Sequence, residues 1–489
     1  MKVCSLYGAG FYYVPGTDIC LKIGAYVRAE YAYGNIGGSL TNLDQSGADG
    51  QRTRLVGGDN YQQRARAFVF LDSRQQTAYG TLRAYFNIGH SSDYPNAVGT
   101  SAAAVYANRA FIQLAGFTWG LATSYYDFYS SPATSYSVPW SSDTGDGGWK
   151  VAAYTAQFGN GLSGSLSIEE PRRQVVANAS VATSYAVGAL PTTDQLHVTF
   201  PDVVANLRVD QAWGSAQIMG ALHNVGGGYY GTTLGGGNCQ QGQLGTFGNT
   251  CSGHPGNELG FAVGVGVKIN FPMIGPGDYF QAQFNYTEGA VRYAALTPAG
   301  AGGVGIFGDQ QGSNVGVGFF QDGVYCGISS AGAAVVGANG ATACPAGGSK
   351  VELTTAWSVQ AAYEHFWTPS LRTSLVGAYT DISYSGAASN MMCANMNAGG
   401  ANTVAFVTPA NCGPGSFDWS HYSISSRTQW NITKDFYVGL EGYYGHLNTM
   451  AKGTLVNYTS NNAQPTGVRT LTDQDVFVYR MRVHRDLVP

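Results

Sequence analysis

Apolar and polar residues alternate along this chain with a period of two, and the alternation recurs in one segment after another. In the segment 22–34, for example, Ile23 and Val27 alternate with Arg28 and Glu30. Successive side chains of a β-strand point to opposite faces of the sheet, so this period predicts strands with one apolar face. We identify sixteen such segments, at 22–34, 61–72, 79–89, 107–115, 117–125, 149–157, 161–169, 202–212, 214–224, 258–270, 278–292, 352–364, 370–380, 418–430, 434–446 and 473–484.

The connections between these segments alternate between short and long. Some of the short ones are a single residue, such as Gly116 or Trp213. Alternating short and long connections are typical of an up-and-down meander, in which each strand pairs with the next one in the chain. The long connections lie at 35–60, 90–106, 126–148, 170–201, 225–257, 293–351, 381–417 and 447–472.

The apolar face of such a sheet could either cover a dry core or contact lipid. The segments have about the length needed to cross a bilayer at the usual strand tilt. Aromatic residues such as Trp149, Trp367 and Trp430 lie near segment ends, as in the aromatic girdles of membrane barrels. Lipid cannot form hydrogen bonds with the backbone, so every backbone polar group must be paired within the sheet. The sheet must therefore close into a barrel. We therefore predict an all-β fold, a 16-stranded antiparallel transmembrane β-barrel with short periplasmic turns and long extracellular loops; a secreted β-sandwich or β-solenoid is the alternative.

The composition excludes several other classes of protein. Only 11 % of the 489 residues are charged, whereas about 25 % is usual for soluble proteins, so charge-driven disorder is excluded. The net charge of −4 argues against a nucleic-acid partner, which would require a concentrated basic face. No apolar segment has the character of a membrane-spanning helix.

The eight cysteines form four local pairs, each enclosing a stretch rich in small or polar residues. None has the Cys-x-x-Cys spacing of a zinc or redox site. Disulfides form in oxidising compartments, so we expect an exported protein whose leader peptide is absent from this numbering. We predict a disulfide-closed periplasmic segment at 1–21, followed by the barrel at 22–489. The predicted disulfides are Cys4–Cys20, Cys239–Cys251, Cys326–Cys344 and Cys393–Cys412.

If the apolar rows contact lipid, the polar rows line a lumen, and a barrel of this size is wide enough to hold water. Five arginines from the first four segments lie on these polar rows. Since neighbouring segments form neighbouring strands, we expect them to cluster on one wall of the lumen. The alternative is that they are scattered and paired with Glu30 or Asp72. The five are Arg28, Arg64, Arg66, Arg83 and Arg109.

The third long connection, about 126–148, carries Asp127, Asp143 and Asp146 among small and aromatic residues. If it folds inward, it narrows the lumen and places carboxylates opposite the arginines, which would create a transverse field acting on solutes. The alternative is that the stretch around Asp143 is a turn-rich surface loop. The sequence leaves open whether the connection 293–351 folds inward or outward.

No enzymatic motif is found. The eight histidines are never within four residues of one another, so no local metal site is predicted. No nucleophile elbow or phosphate-binding loop precedes a helix, and no amphipathic helix is evident. We therefore predict no catalytic residue, no metal and no cofactor, although hydrolysis by dispersed Ser, His and Asp residues stays an alternative.

Two motifs carry a resemblance to a known family. Residues 3–24 read VCSLYGAGFYYVPGTDICLKIG, and DFYS at 127–130 is followed by DTGDGGWK at 143–150. The chain resembles the general porins of alphaproteobacterial outer membranes, and the resemblance extends over the whole chain. It implies a homotrimer of sixteen-stranded barrels in outer-membrane lipid and lipopolysaccharide, passing small hydrophilic solutes and ions. Residue by residue, it implies a third-loop constriction carrying Asp127, Asp143 and Asp146, faced by Arg28, Arg64, Arg66 and Arg83.

The sequence thus predicts an outer-membrane channel for passive diffusion, selective by size and by a transverse field. An outer-membrane adhesion or structural barrel, with disulfide-closed loops as its working surface, is the alternative from another class.

Overall fold

The structure is a computed structural model, and it describes most of the barrel and parts of its loops. Described are residues 4–34, 61–94, 104–130, 133–137, 148–179, 199–228, 254–295, 304–307, 314–326, 335–336, 342–345, 348–396, 412–458 and 467–488.

Sixteen strands form one closed antiparallel barrel, which confirms the predicted fold. Each strand pairs with its neighbours in sequence order, and the first pairs with the last. The strands are β1 (Ile19–Gly34), β2 (Tyr61–Thr77), β3 (Gly80–Tyr94), β4 (Ala110–Leu114), β5 (Phe117–Ala122), β6 (Trp149–Gly159), β7 (Leu162–Glu169), β8 (Asp202–Gln211), β9 (Gly214–Val225), β10 (Glu258–Asn270), β11 (Tyr279–Glu288), β12 (Glu352–Thr368), β13 (Leu371–Tyr384), β14 (Trp419–Thr433), β15 (Phe436–Asn448) and β16 (Gln474–Val488).

Shorter elements lie outside this ladder. Two residues pair with β1 near the chain start, and three pair with β3 ahead of β4. None of the helices in the described part of the chain has the length and apolar character needed to cross a bilayer. The additional strands are Tyr12–Tyr13, Ala104–Tyr106, Val175–Asn178, Val304–Phe307, Asn314–Phe319, Gln321–Tyr325, Val335–Val336, Thr342–Cys344, Leu455–Tyr458 and Gly467–Leu471; the helices are the 3₁₀ turns Cys4–Tyr7 and Val291–Tyr293 and the α-helix α1 (Gly386–Met396).

Along the strands, the apolar positions are exposed and the polar positions are buried, as the sequence predicts. Outward-facing Val27 and Leu440 are 46 % and 61 % exposed, whereas inward-facing Glu30 and Glu441 are 2 % and 3 % exposed. An exposed apolar row with a buried polar row is the reverse of a soluble sandwich. It is the arrangement of a barrel whose outer surface contacts lipid and whose inner surface is polar.

The extracellular loops pack against one another inside the mouth of the barrel. The segment 316–326 of loop 6 (residues 289–351) is buried throughout. Its strand Gln321–Tyr325 pairs in parallel with Val175–Asn178 of loop 4 (residues 170–201) and antiparallel with the start of β12. The carbonyl of Phe319 accepts hydrogen bonds from two inward-facing side chains, Tyr384 Oη at 2.8 Å and Trp419 Nε1 at 2.9 Å. The described part of loop 6 therefore folds inward.

Helix α1 was not expected, because the sequence shows no helical period there. Ser385 caps its first turn, with its Oγ accepting a hydrogen bond from the Ala388 amide at 3.1 Å, as N-cap residues do. Its Met391 and Met392 are buried in the apolar cluster of the loops. The helix is thus stabilised by contacts from other loops, which a periodicity argument does not register.

Three of the four predicted disulfides lie among the described residues, and all three are formed. They join Cys4 to Cys20, Cys326 to Cys344 and Cys393 to Cys412. Cys239 and Cys251 lie outside the described residues. The first disulfide attaches the N-terminal segment to the periplasmic end of β1, and the other two close loop 6 and loop 7 (residues 385–418).

The outward orientation of the apolar side chains can be tested by mutation. Val69 faces outward at the middle of β2 and is 43 % exposed. We expect Val69→Arg to lower the free energy of unfolding in phospholipid vesicles by about 2–4 kcal/mol, the cost of a cation at the lipid-facing midplane.

The matched control is Tyr79→Arg, in the exposed turn between β2 and β3, which should change the free energy by less than about 0.5 kcal/mol. Urea titration of both variants measures the difference. Equal losses for the two variants would contradict the outward orientation.

Candidate functional site

The third loop (loop 3, residues 123–148) folds into the lumen, as predicted, and its main chain is held by side chains of the wall. Its described residues lie along the inner face from β7 to β16. Buried backbone groups need hydrogen-bond partners, and wall side chains supply several of them for the described part of this loop. The wall partners are Glu169 (β7), Asn206 (β8), Gln217 (β9), Gln283 (β11), Ser374 (β13), Arg427 (β14), Glu441 (β15) and Arg480 (β16).

Glu441 makes the densest of these attachments. One carboxylate oxygen accepts from the Ser135 hydroxyl at 2.6 Å and the Tyr136 amide at 2.8 Å. The other accepts from the Ser137 amide at 2.8 Å and the Ser137 hydroxyl at 2.7 Å. Arg480 donates to the carbonyl of Tyr136 at 2.8 Å. Hydrogen bonds to charged groups are the stronger kind, so these two residues fix the position of the loop in the lumen.

The Tyr136 ring lies between guanidinium groups. Arg482 lies 3.9 Å and Arg427 5.4 Å from the ring centroid. Arg482 in turn pairs with Glu30 of β1 at 2.5 Å, and Arg427 pairs with Glu364 of β12. Cation–π contacts of this kind are stronger when the groups are desolvated. The loop is therefore held by cation–π contacts to β14 and β16, and the two arginines are themselves paired with carboxylates of β12 and β1.

The base of loop 3 is fastened by a buried arginine. Arg172 of loop 4 pairs with Asp127 at 2.9 Å, and its guanidinium lies 4.3 Å from the ring centroid of Tyr293. Tyr293 packs edge-on against Tyr126 at 4.7 Å between centroids. Burial raises the pKa of the Tyr126 phenol well above its usual range, so this group stays neutral. The base of loop 3 is thus joined to loops 4 and 6.

A second buried network joins loops 4 and 6 to the wall. His223 of β9 lies 2.7 Å from Asp202 of β8 and 3.5 Å from Asp322 of loop 6. Asp322 also accepts from the backbone amides of Gln174 at 2.6 Å and Val291 at 2.9 Å. Buried charges are stable only when they are paired and hydrogen-bonded, and this network meets both conditions.

Small inward-facing residues make room for loop 3. The inward row of β10 contains Gly264 and Gly266 where its outward row contains valines. A Cβ atom at Gly266 would collide with the ring of Phe128, and one at Gly439 with the hydroxyl of Tyr136. The wall is therefore shaped to accept the aromatic side chains of the loop.

The predicted arginines lie on or beside the wall formed by β1–β4. Arg28 and Arg66 are directly opposite each other on β1 and β2, and Arg64 is buried on β2. Arg83 pairs with Asp72 at 2.9 Å, which is the pairing considered as the alternative. Arg109 immediately precedes β4, with its guanidinium bonded to the carbonyl of Asn108 at 2.7 Å.

One of the three predicted carboxylates, Asp127, is placed differently from the expectation. Asp127 lies at the base of loop 3, where its side chain is 8 % exposed and paired with Arg172 rather than opposite Arg28 or Arg66. Its charge is thus compensated locally by Arg172, a residue that the sequence analysis did not single out. Asp143 and Asp146 lie outside the described residues.

Several residues that hold the site were missed. Glu441, Arg480 and Arg427 lie on the polar rows of strands far along the chain from loop 3, and nothing local indicates their partners. One signal was present in the sequence: the inward row of β10, Gly260-Ala262-Gly264-Gly266, lacks side chains large enough to reach into the lumen. Such a row in a wide barrel indicates that another segment fills the space.

Comparison with known proteins gives consistent matches. The model of the family described as "Porin subfamily" matches residues 1–477. Porin Omp2b of Brucella melitensis is 26 % identical over 46 % of this chain and 57 % of its own length. Porin Omp2a of Brucella ovis is 27 % identical over 46 % of this chain and 61 % of its own length. The chain thus matches less than two thirds of the length of these curated relatives.

Among solved structures, the crystal structure of the outer membrane channel DcaP of Acinetobacter baumannii is similar. It has a TM-score of 0.55 and 12 % identity, covering 97 % of this chain and 99 % of that one. At this identity the likeness concerns the fold, and it agrees with a closed barrel of outer-membrane type.

The Glu441 attachment generates a test of the loop position. In Glu441→Gln the charge is lost and the new amide group faces donors, so we expect hydrogen bonds worth about 3 kcal/mol to be lost. Hydrogen exchange of the Tyr136 and Ser137 amides, both bonded to Glu441, should then accelerate about hundredfold.

Glu288→Gln, at the extracellular end of β11 with Tyr286 as hydrogen-bond donor, is the control and should leave these two amides protected. Unchanged exchange in Glu441→Gln would contradict the attachment.

Proposed function

Because the chain belongs to the porin family whose model matches residues 1–477, we propose that it forms a water-filled channel for the passive diffusion of small hydrophilic solutes and ions. The family and the barrel fold place it in the bacterial outer membrane. The observation that carries the proposal is a polar lumen crossed by an inward-folded loop that is anchored to the wall. Such a loop narrows the lumen of a wide barrel.

Selection by size and charge follows from this arrangement. Loop 3 lies along β7–β16, so the remaining cross-section is bounded on the other side by β1–β4. On β16, β1 and β2 six inward arginines outnumber three inward carboxylates. The arginines are Arg28, Arg64, Arg66, Arg74, Arg480 and Arg482, and the carboxylates are Glu30, Asp72 and Asp486. Charges lining a narrow aqueous passage set its ion preference. We propose that Arg109 belongs, with Arg28, Arg64 and Arg66, to a positive wall of the lumen. We propose that Asp143 and Asp146 provide the negative charge opposite this wall.

The family favours a channel over an enzyme, and we propose that the channel needs no cofactor. The extracellular apolar cluster favours a second candidate, a structural or adhesion barrel with a rigid outer surface. Residues of loops 4, 6 and 7 and of loop 8 (residues 449–473) share one buried core there. Recording in planar bilayers separates the two candidates. A large ohmic conductance supports the channel, and swelling of vesicles in sugars of graded size gives its cut-off. Silence in both assays would contradict the channel.

We propose a homotrimer in the membrane. Outward-facing Ala65 and Ala67 on β2 leave a flat surface on which neighbouring barrels could approach closely. Sedimentation in detergent should give a protein mass of about three chains, in keeping with closed cyclic symmetry. The mass of one chain would contradict this assembly.

The positive wall generates a test of selectivity. Arg64→Glu combined with Arg66→Glu reverses two lumen charges. We expect the ratio of cation to anion permeability to rise at least about threefold, because fixed charge sets local ion concentration. The reversal potential in a salt gradient measures the change.

The control is Arg485→Glu, which makes the same exchange at an exposed outward-facing position of β16. It should leave the reversal potential unchanged. An equal shift in the control, or none in the double variant, would contradict the role of the wall.

A further inference from the structure

We propose that the inner face of β1–β4 carries a binding track for small organic anions in which a carboxylate or phosphate group is attached to a ring. The proposal rests on the proposed channel and names a class of solute for it. The track consists of three successive groups of arginine and aromatic side chains, from the middle of the lumen to its periplasmic end.

The first group contains two arginines of neighbouring strands. Arg28 and Arg66 lie directly opposite each other on β1 and β2. Arg28 donates to Nδ1 of His484 at 3.3 Å, and Arg66 donates to the Ser91 hydroxyl at 2.9 Å. Among the described residues neither forms an ion pair. Both side chains are therefore held in place by neutral groups.

Two like charges directly opposite each other on neighbouring strands are unfavourable. A structural role would be better served by a carboxylate between them, as Asp72 provides between Arg74 and Arg83. Two guanidinium groups held by neutral partners form a preorganised site for an oxyanion, which they can bind through fork-shaped donor pairs. This arrangement points to an anionic ligand at Arg28 and Arg66.

Aromatic rings surround this pair. Tyr26 and Phe68 are stacked with centroids 5.1 Å apart, and Phe68 lies 6.4 Å from Tyr106. The Arg28 guanidinium lies 4.9 Å from the Tyr26 centroid, and that of Arg66 lies 5.6 Å from the Tyr106 centroid. An inorganic anion would need only the guanidinium groups. The adjoining aromatic surface adds apolar contact for a ligand that also carries a ring.

The second group lies nearer the periplasm and repeats the pattern. Tyr85 stacks between Phe70 and Phe111, with centroids 6.1 Å and 5.3 Å away. The Arg83 guanidinium lies 5.2 Å from the centroids of both Tyr85 and Phe111. Arg83 shares the single carboxylate of Asp72 with Arg74. Two cations on one anion leave this group with one net positive charge.

The third group includes the N-terminal segment. Arg74, on the same inward row of β2 as Arg66, lies 4.8 Å from the Phe11 centroid and 5.8 Å from the Tyr7 centroid. The disulfide between Cys4 and Cys20 attaches this segment to the inward row of β1. The pattern of cation and ring thus continues along β2 to the periplasmic end of the lumen.

The test compares ligands that differ in one feature. The probes are benzoate and phenyl phosphate (ring and charge), acetate (charge only) and benzamide (ring only), titrated calorimetrically into the purified, detergent-solubilised protein. We expect benzoate and phenyl phosphate to bind at least about tenfold more tightly than acetate or benzamide, since charge and apolar contact act together. A higher affinity for one of the two identifies the preferred acid. Equal affinities for benzoate and acetate, or no binding by any probe, would overturn the proposal.

The variants locate the binding. Arg28→Gln combined with Arg66→Gln should weaken benzoate binding at least about tenfold, the effect of losing charged hydrogen bonds. The exposed outward-facing Arg485→Gln is the control and should bind like the parent. Tyr106→Leu keeps both arginines and should weaken benzoate binding severalfold while leaving acetate binding unchanged. Loss in the control, or no loss in either lumen variant, would place binding elsewhere and overturn the track.

Conductance is measured separately in potassium chloride. A protein that conducts but does not distinguish the probes refutes the track alone. A protein that binds benzoate at Arg28 and Arg66 but does not conduct refutes the channel and leaves the site.

Discussion

The structure depends on the requirement that every backbone polar group within a bilayer be paired inside the protein. The closed ladder of sixteen strands, in which β16 pairs with β1, meets this requirement. Closure then assigns the two faces of every strand. Val27 and Leu440 contact lipid, and Glu30 and Glu441 are turned toward the lumen. The polar lumen is thus a consequence of closure rather than a separate feature.

The same requirement applies within the lumen, where loop 3 lies away from bulk water. Its main chain obtains partners from side chains of the wall, chiefly the carboxylate of Glu441 and the guanidinium of Arg480. Hydrogen bonds to fixed charges hold the described part of this loop, which contains turns and bends but no strand or α-helix. The wall is consequently divided between the strands that bind loop 3 and β1–β4, where arginines and aromatic rings line the lumen. The inward polar residues therefore supply the frame that holds loop 3 and, in our proposal, the surface that solutes contact.

The barrel was predictable because its signal is local: a period of two in each strand and alternating lengths of connection. The Asn160-Gly161 turn, with both residues at positive φ, shows the same local agreement of sequence and geometry. The partners of loop 3 were not predictable, since Glu441 follows Tyr136 by some 300 positions and each looks like an ordinary polar lumen residue. The pairing of Asp127 with Arg172 was missed for the same reason. Helix α1 was missed because packing, not periodicity, stabilises it.

The assignment of the two strand faces is tested most directly by spin labels placed one at a time along β3 in lipid vesicles. Labels at Arg83 and Tyr85 should collide with a water-soluble nickel complex, because these positions face the lumen. Labels at Ala84 and Phe86 should instead collide with oxygen dissolved in the lipid, because these positions face outward. The structure predicts that access to the nickel complex and access to oxygen alternate strictly from one labelled position to the next. The opposite alternation, or equal access of the nickel complex to all four positions, would contradict it.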